Sequence, residues 1–189
     1  PLTAQPGDAN GSLAVDVADI VTVVNYITGD TPQPFVFDAA DINGDGEIDV
    51  MDIVGIVNVI INGKYEAERA PVATAVYSIV DGILYVDTPV ELAGIQVYLD
   101  CDDESQIESL SAMDNFEQIG QYVNDGRYMF MAYSMSGAKL PAGKHAILKI
   151  GYADVDDMIL ADPSGSNVLA VEETVGVTEN NDIFILNAP

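Results

Sequence analysis

The chain has 189 residues, 49% of them apolar, and a formal net charge of −25 from 31 acidic and only six basic residues. That length allows one domain or two, and the apolar share is enough for packed cores. The charge makes nucleic acid and anionic membranes poor partners. No run of about 18 apolar residues is present to span a bilayer, and the single Cys101 excludes an internal disulfide framework. No leader peptide is visible, and the start at Pro1 reads as a processed or cut chain.

The first element is a loop, Asp8-Ala9-Asn10-Gly11-Ser12-Leu13-Ala14-Val15-Asp16-Val17-Ala18-Asp19. It recurs 33 residues later as Asp41-Ile42-Asn43-Gly44-Asp45-Gly46-Glu47-Ile48-Asp49-Val50-Met51-Asp52. In the second copy, oxygen-bearing side chains occupy positions 1, 3, 5, 9 and 12, and Gly46 sits at position 6, where the chain must turn. Position 7, Glu47, offers its backbone carbonyl. A hard cation takes about six to eight oxygens, and this spacing supplies them from one short segment, so the loop reads as a calcium site. Such a site favours an extracellular setting, where calcium is abundant.

Each loop runs into an apolar segment at helical spacing. Ile20, Val23, Val24 and Ile27 follow the first, and Ile53, Ile56, Val57 and Ile60 the second. Both segments are rich in β-branched residues, but the preceding loops and the terminal Gly29 and Gly63 predict helices. Two units this small cannot bury their faces alone. They are expected to pack on each other with approximate two-fold symmetry, Pro32 and Pro34 breaking the chain between them and Phe35 and Phe37 plugging the shared core. Residues 64–72 read as a linker too short for free tumbling, spanning at most roughly 30 Å.

Beyond residue 72 the period changes. Short apolar or alternating runs at 73–79, 82–87, 93–99, 116–123, 127–134, 145–152, 158–161, 168–171 and 183–186 are separated by turn pairs such as Asp81-Gly82, Asp125-Gly126 and Ser136-Gly137. Short strands at this spacing, with no amphipathic helix between them, predict a β-sandwich. Large residues on both faces of Arg127–Ser134 predict a central strand. The expected fold is therefore multidomain: a small α module of two calcium loop–helix repeats at 1–63, a linker, and an all-β, jelly-roll-like sandwich at 73–189.

The duplicated D-x-N-x-[DS] start, Asp at position 12 and the following D-I-V-x-x-V-N-x-I pattern make residues 6–63 resemble a dockerin. This is the calcium-binding module that plugs into cohesin in cellulosome-type assemblies. An EF-hand would carry a helix before each loop and Glu at position 12. The resemblance implies two Ca2+ ions. One would be held by Asp8, Asn10, Ser12, the Ala14 carbonyl, Asp16 and Asp19. The other would be held by Asp41, Asn43, Asp45, the Glu47 carbonyl, Asp49 and Asp52. The position-12 carboxylate binds with both oxygens, and the ninth binds directly or through water. The first loop departs from the pattern at Ser12, which removes a charged ligand, and at Leu13, which stands where a left-handed glycine is usual. The second site is expected to be the tighter.

The resemblance also places Val17, Ala18, Val50 and Met51, just before position 12, on the partner-binding surface. The Ser-Thr pair common in cellulosomal examples is absent, and the apolar pairs imply an apolar partner or a surface covered within this chain. Residues 73–189 more loosely resemble a cohesin-like or carbohydrate-module-like sandwich. The cues are Leu92-Ala93-Gly94, Asp125-Gly126-Arg127 and Leu140-Pro141-Ala142-Gly143.

Catalytic chemistry is weakly signposted. His145, the one histidine, reads as a surface or turn residue, and a single histidine would have to serve any triad. Cys101 lies among carboxylates that disfavour a thiolate. The acidic runs around Asp102 and Asp156 read as solvated loops. The chain lacks Trp, which leaves Tyr98, Tyr122, Tyr128 and Tyr133 as the tyrosines that could stack on sugar. The expected function is non-catalytic, calcium-dependent docking by a secreted or cell-surface bacterial protein. Its partner would be a cohesin-like module, in trans or within the same chain. The alternative is a carbohydrate-binding sandwich, taking polysaccharide, with a calcium-stabilised appendage.

Overall fold

The computed structural model describes residues 5–62, 71–123, 125–177 and 183–186. Most of the expected linker, and the side chains of Val50 and Met51, lie outside the described residues. Three helices come first: α1 (Val17–Ile27), a one-turn α2 (Phe37–Ala40) just before the second loop, and α3 (Val50–Asn62). Strands follow as β1 (Ala73–Val80), β2 (Ile83–Thr88), β3 (Gly94–Asp100), β4 (Glu108–Ser109), β5 (Glu117–Tyr122), β6 (Tyr128–Tyr133), β7 (Gly143–Lys149), β8 (Asp154–Ala161) and β9 (Asn167–Glu172). A separate ribbon pairs β10 (Thr174–Val177) with β11 (Ile183–Leu186). The two short strands β4 and β10 were not visible as runs of their own in the sequence.

The nine strands form one sheet in the order β4-β7-β2-β1-β9-β8-β3-β6-β5. Every neighbour is antiparallel except the pair β1 and β9. The sheet curls so that its two halves share one core, with Leu84, Val86 and Ile147 meeting Ile95, Val97, Leu99, Phe130 and Leu160. This is the expected small α module followed by an all-β layer structure.

Period-2 alternation then sends the intervening residues of β3, β6 and β8 to the opposite face. That face carries Gly94, Gln96 and Tyr98, Met129, Met131 and Tyr133, and Ile159 and Ala161. It is apolar and would be unfavourable in water. It is buried instead with α1 and α3, in a second core that both modules build. Helix α1 is buried on two stripes. At 3.6 residues per turn, Ile20, Val23 and Val24 share one side and Val17, Ala18, Val21, Thr22 and Asn25 the other. The first stripe packs with Ile53, Ile56, Val57 and Ile60 of α3, and the second meets the sheet.

Close approach of helix to strand depends on Gly94. A Cβ built there would lie 2.8 Å from Val17 Cγ2 and 3.0 Å from Val21 Cγ2. The sheet also supplies a polar contact. Gln96, 1% exposed, accepts the first free N–H of α1 from Val17 at 3.2 Å. Its amide nitrogen donates to Tyr98 Oη at 2.8 Å. Helix starts leave N–H groups without intrahelical partners, so this buried glutamine satisfies one of them.

Several expectations change at this level. Strand β6 is second from the sheet edge rather than central. Its outer methionines are buried because the α module covers them. Asp154, Asp156 and Asp157 lie on β8 rather than in a loop. Tyr98 pairs with Asp157 and Leu99 with Val155, which leaves Asp156 at an irregularity in register. There its carboxylate meets Arg127, which also bonds Asp125 at 2.9 Å and covers the Tyr98 ring. His145 is a half-buried residue of β7, its Nε2 2.8 Å from the Pro141 carbonyl oxygen. Phe37 lies at the rim of the α module, edge-on to Tyr26, while Phe35 stacks on Tyr26 and joins the core. Cys101 is buried in the sandwich core. Among the described residues no helix is long and apolar enough to cross a membrane.

Replacing Gly94 with Val forces side-chain volume between α1 and β3. Overpacking of this kind costs about 1–3 kcal/mol. The expected result is a lower melting temperature together with new dye-accessible apolar surface as the α module lifts, read by thermal unfolding and a hydrophobic-dye titration.

Candidate metal loops and the face they orient

The two loops repeat one hydrogen-bond scheme. The position-12 carboxylate clamps each loop shut. Asp19 Oδ1 accepts from Asn10 N at 3.0 Å and its Oδ2 from Asp16 N at 2.9 Å. Asp52 Oδ1 accepts from Asn43 N at 3.5 Å and, more closely, from Ile42 N at 3.0 Å, and its Oδ2 from Asp49 N at 2.9 Å. The position-1 carboxylate collects the amides at positions 5 and 6. Asp8 takes Ser12 N and Leu13 N at 2.8 and 3.1 Å. Asp41 takes Asp45 N and Gly46 N at 3.1 and 2.9 Å. In both loops the position-3 Asn oxygen accepts the position-5 amide at 2.9 Å.

Each loop turns through left-handed residues at positions 4 and 6. These are Gly11 and Leu13 in the first, at φ 68° and 72°, and Gly44 and Gly46 in the second, at 74° and 88°. Leu13 thus adopts a conformation that costs a non-glycine residue about 1–2 kcal/mol. Its side chain is 49% exposed and contributes little packing in return.

The loop end is also the helix start. Asp16, at position 9, is the N-cap of α1, its Oδ1 accepting from Ala18 N at 2.8 Å, and Asp19 stands at N3 and closes a capping box. Whatever fixes the loop therefore fixes the first turn of the helix.

The loops differ in their surroundings. Asp8, Asn10, Ser12, Asp16 and Asp19 are all buried. In the second loop Asp52 is buried, Asp41 and Asp49 half-buried, and Asn43, Asp45 and Glu47 exposed. Burial pushes the Asp16 carboxyl up to about 6, with repulsion from Asp8 adding to it. Asp19 is raised well above the usual carboxylate range, by burial first and by Asp16 second. Asp16 Oδ2 is buried with no hydrogen-bond partner. Among the described residues no three His, Cys, Asp or Glu side chains make a metal cluster on their own. The fit to a cation comes from the mixed set of carboxylate, amide, hydroxyl and backbone carbonyl oxygens. All are hard donors suited to calcium, and an ion among them would favour the ionised carboxylates.

Val17 and Ala18, assigned by resemblance to a partner surface, are both fully buried against the chain's own sheet. Gln96, Gly94 and Asn25, none of them an expected site residue, hold that contact together with the expected ligand Asn10; the two asparagines make polar contacts with the β8–β9 turn. Asn25 Nδ2 donates to the Pro163 carbonyl at 2.7 Å, and Asn10 Nδ2 to the Gly165 carbonyl at 3.3 Å. A glutamine inside the apolar run Gly94–Leu99 is the one local signal that could have pointed to it.

These features define a duplicated oxygen-loop and helix module seated on a β-sheet domain. Residues 6–61 match the family model of the dockerin type I domain. Such a module serves protein–protein docking and is non-catalytic. None of the curated proteins matches the chain in sequence. Among solved structures, the chain is similar to one from a type I cohesin–dockerin complex of Clostridium thermocellum. Identity is 12%, coverage 57% of this chain and 94% of that one, and the TM-score 0.32. It is also similar to a non-cellulosomal cohesin of the archaeon Archaeoglobus fulgidus at 11% identity, covering 52% and 84%, with a TM-score of 0.33.

Of the four tyrosines considered for sugar stacking, Tyr128 is buried in the sandwich core and Tyr98 and Tyr133 pack in the shared core. Tyr122 is exposed, edge-on to Tyr128.

Leu13→Gly removes the left-handed penalty with little loss of packing. Its expected effect is a gain of up to about 1 kcal/mol, offset in part by the greater freedom of glycine in the unfolded chain. Chemical denaturation of the two proteins checks it.

Proposed function

We propose that the chain is a calcium-dependent docking unit of a secreted or cell-surface bacterial protein. In it, two Ca2+ ions set the shape of the dockerin module. One ion belongs to Asp8, Asn10, Ser12, the Ala14 carbonyl, Asp16 and Asp19. The other belongs to Asp41, Asn43, Asp45, the Glu47 carbonyl, Asp49 and Asp52. The observation that carries this reading is the repeated clamp by Asp19 and Asp52, with the buried, unpartnered Asp16 Oδ2 beside it.

Each residue's task follows from its place. The position-1 carboxylate orders the turn amides, and the position-12 carboxylate closes the loop. The N-cap Asp16 hands that order to α1, which presents a docking face. The face led by Val17 and Ala18 takes the chain's own sandwich as its cis partner. The equivalent positions of the second repeat, Val50 and Met51, are assigned to a cohesin-like module in trans. Val54, on the turn of α3 that follows them, is 49% exposed, which supports an outward second face. The unit is non-catalytic.

Calorimetric titration with calcium is expected to give two binding events, the tighter lost in Asp41→Ala and the weaker in Asp8→Ala. Chelation should lower the melting temperature, since an ion present at about 100 times its Kd stabilises by roughly 2.7 kcal/mol. Absence of binding heat with an unchanged melting temperature would refute calcium dependence.

A further inference from the structure

Asn10 is a calcium-loop residue whose two side-chain ends serve different modules. Its Oδ1 faces its own loop and accepts Ser12 N at 2.9 Å. Its Nδ2 donates to the Gly165 carbonyl, on the β8–β9 turn of the sandwich, at 3.3 Å, and the contact is buried. That turn leaves no room for adjustment. Gly165 has φ 78°, and a Cβ there would meet Thr22 Oγ1 at 2.1 Å and the Ala18 carbonyl oxygen at 3.0 Å. Asp162 braces it from within, its Oδ1 accepting Ser164 N at 2.8 Å and Ser166 N at 2.9 Å. Two residues before Gly165, the Pro163 carbonyl holds Asn25 of α1 at 2.7 Å. The equivalent residue of the second loop behaves differently. Asn43 is exposed, and its Nδ2 donates within its own loop to Asp45 Oδ2 at 2.9 Å.

We propose that the β8–β9 turn of the sandwich is an outer-shell part of the first calcium loop, so that this site is complete only with the α module seated on the sheet. The inference rests on the calcium reading above. A ligand whose far end is fixed by a second partner keeps its donor atom aimed at the ion, and losing such a partner typically weakens metal affinity about 10–100-fold. Amide is required at position 10 for this reason. A carboxylate would add charge to the loop, which by itself favours calcium. It would also lose the donor to Gly165 and set an oxygen against a buried carbonyl oxygen. Asn43 has no such constraint from the sandwich. The same substitution is therefore expected to weaken the first loop and not the second.

The test uses the full chain, with one loop silenced at a time. In an Asp41→Ala background, Asn10→Asp is expected to weaken calcium binding at the remaining first loop at least tenfold by calorimetry. In an Asp8→Ala background, Asn43→Asp is expected to leave the second loop unchanged or tighter. Equal or tighter binding by Asn10→Asp would overturn the proposal while leaving the calcium reading intact. No binding heat in either parent background would remove the calcium reading itself, and the proposal with it. A measurement that needs no change at Asn10 covers the case in which that variant fails to fold. In the Asp41→Ala protein, the Gly165 and Ser166 amide resonances are expected to shift in step with calcium binding. Resonances that stay fixed through saturation would overturn the proposal.

Discussion

Helix α1 has too little polar surface to face water on either of its two buried sides. One stripe, Ile20, Val23 and Val24, packs with α3; the other, Val17, Ala18 and Val21, meets the sheet and its β8–β9 turn. The sandwich has the complementary problem, with Met129, Met131 and Ala161 on the outer face of β6 and β8. Each fully buried aliphatic or methionine side chain is worth about 1.5–3 kcal/mol relative to exposure, so the two faces are driven together. Gly94 lets them approach, Gln96 satisfies the helix N–H that approach would strand, and Asn25 holds the β8–β9 turn against the far end of the stripe.

Because α1 carries this contact, the order of the first loop matters beyond the loop. Asp16 and Asp19 are loop residues and helix-capping residues at once. Both are buried, and it is burial first that raises both carboxyls. The second loop, built on the same hydrogen-bond scheme, keeps Asn43, Asp45 and Glu47 in solvent. Two repeats of similar sequence thus acquire different chemistry. Ser12 and Leu13 stand where the second loop has Asp45 and Gly46, and the two loops also differ in how deeply their oxygen donors are buried.

Much of the module was legible in the chain itself. The spacing of Asp41, Asn43, Asp45, Gly46 and Asp52 specifies a local geometry in which residues close in sequence satisfy one another. The apolar spacing after it places α1 and α3 within a residue or two. Leu13 occupies the left-handed position that the comparison with Gly46 anticipates. The strands were legible where alternation was clean and lost where it was not. β8 begins at Asp154 but was legible only from Met158, because a register irregularity interrupts its alternation, and the Met129 and Met131 face of β6 read as a central strand when its cover is a helix.

Sequence by itself determined the duplicated loops, the helices they start and the layered β domain, because each rests on contacts between near neighbours or on a repeating side-chain period. It also marked Val17 and Ala18 as apolar residues on a face where polar ones are common. Only the tertiary structure decided that this face lies on the chain's own sheet and that Asn10 reaches Gly165 across 155 residues of sequence. Contacts of that range leave no periodic trace in the chain; they depend on two surfaces each completing the other's burial.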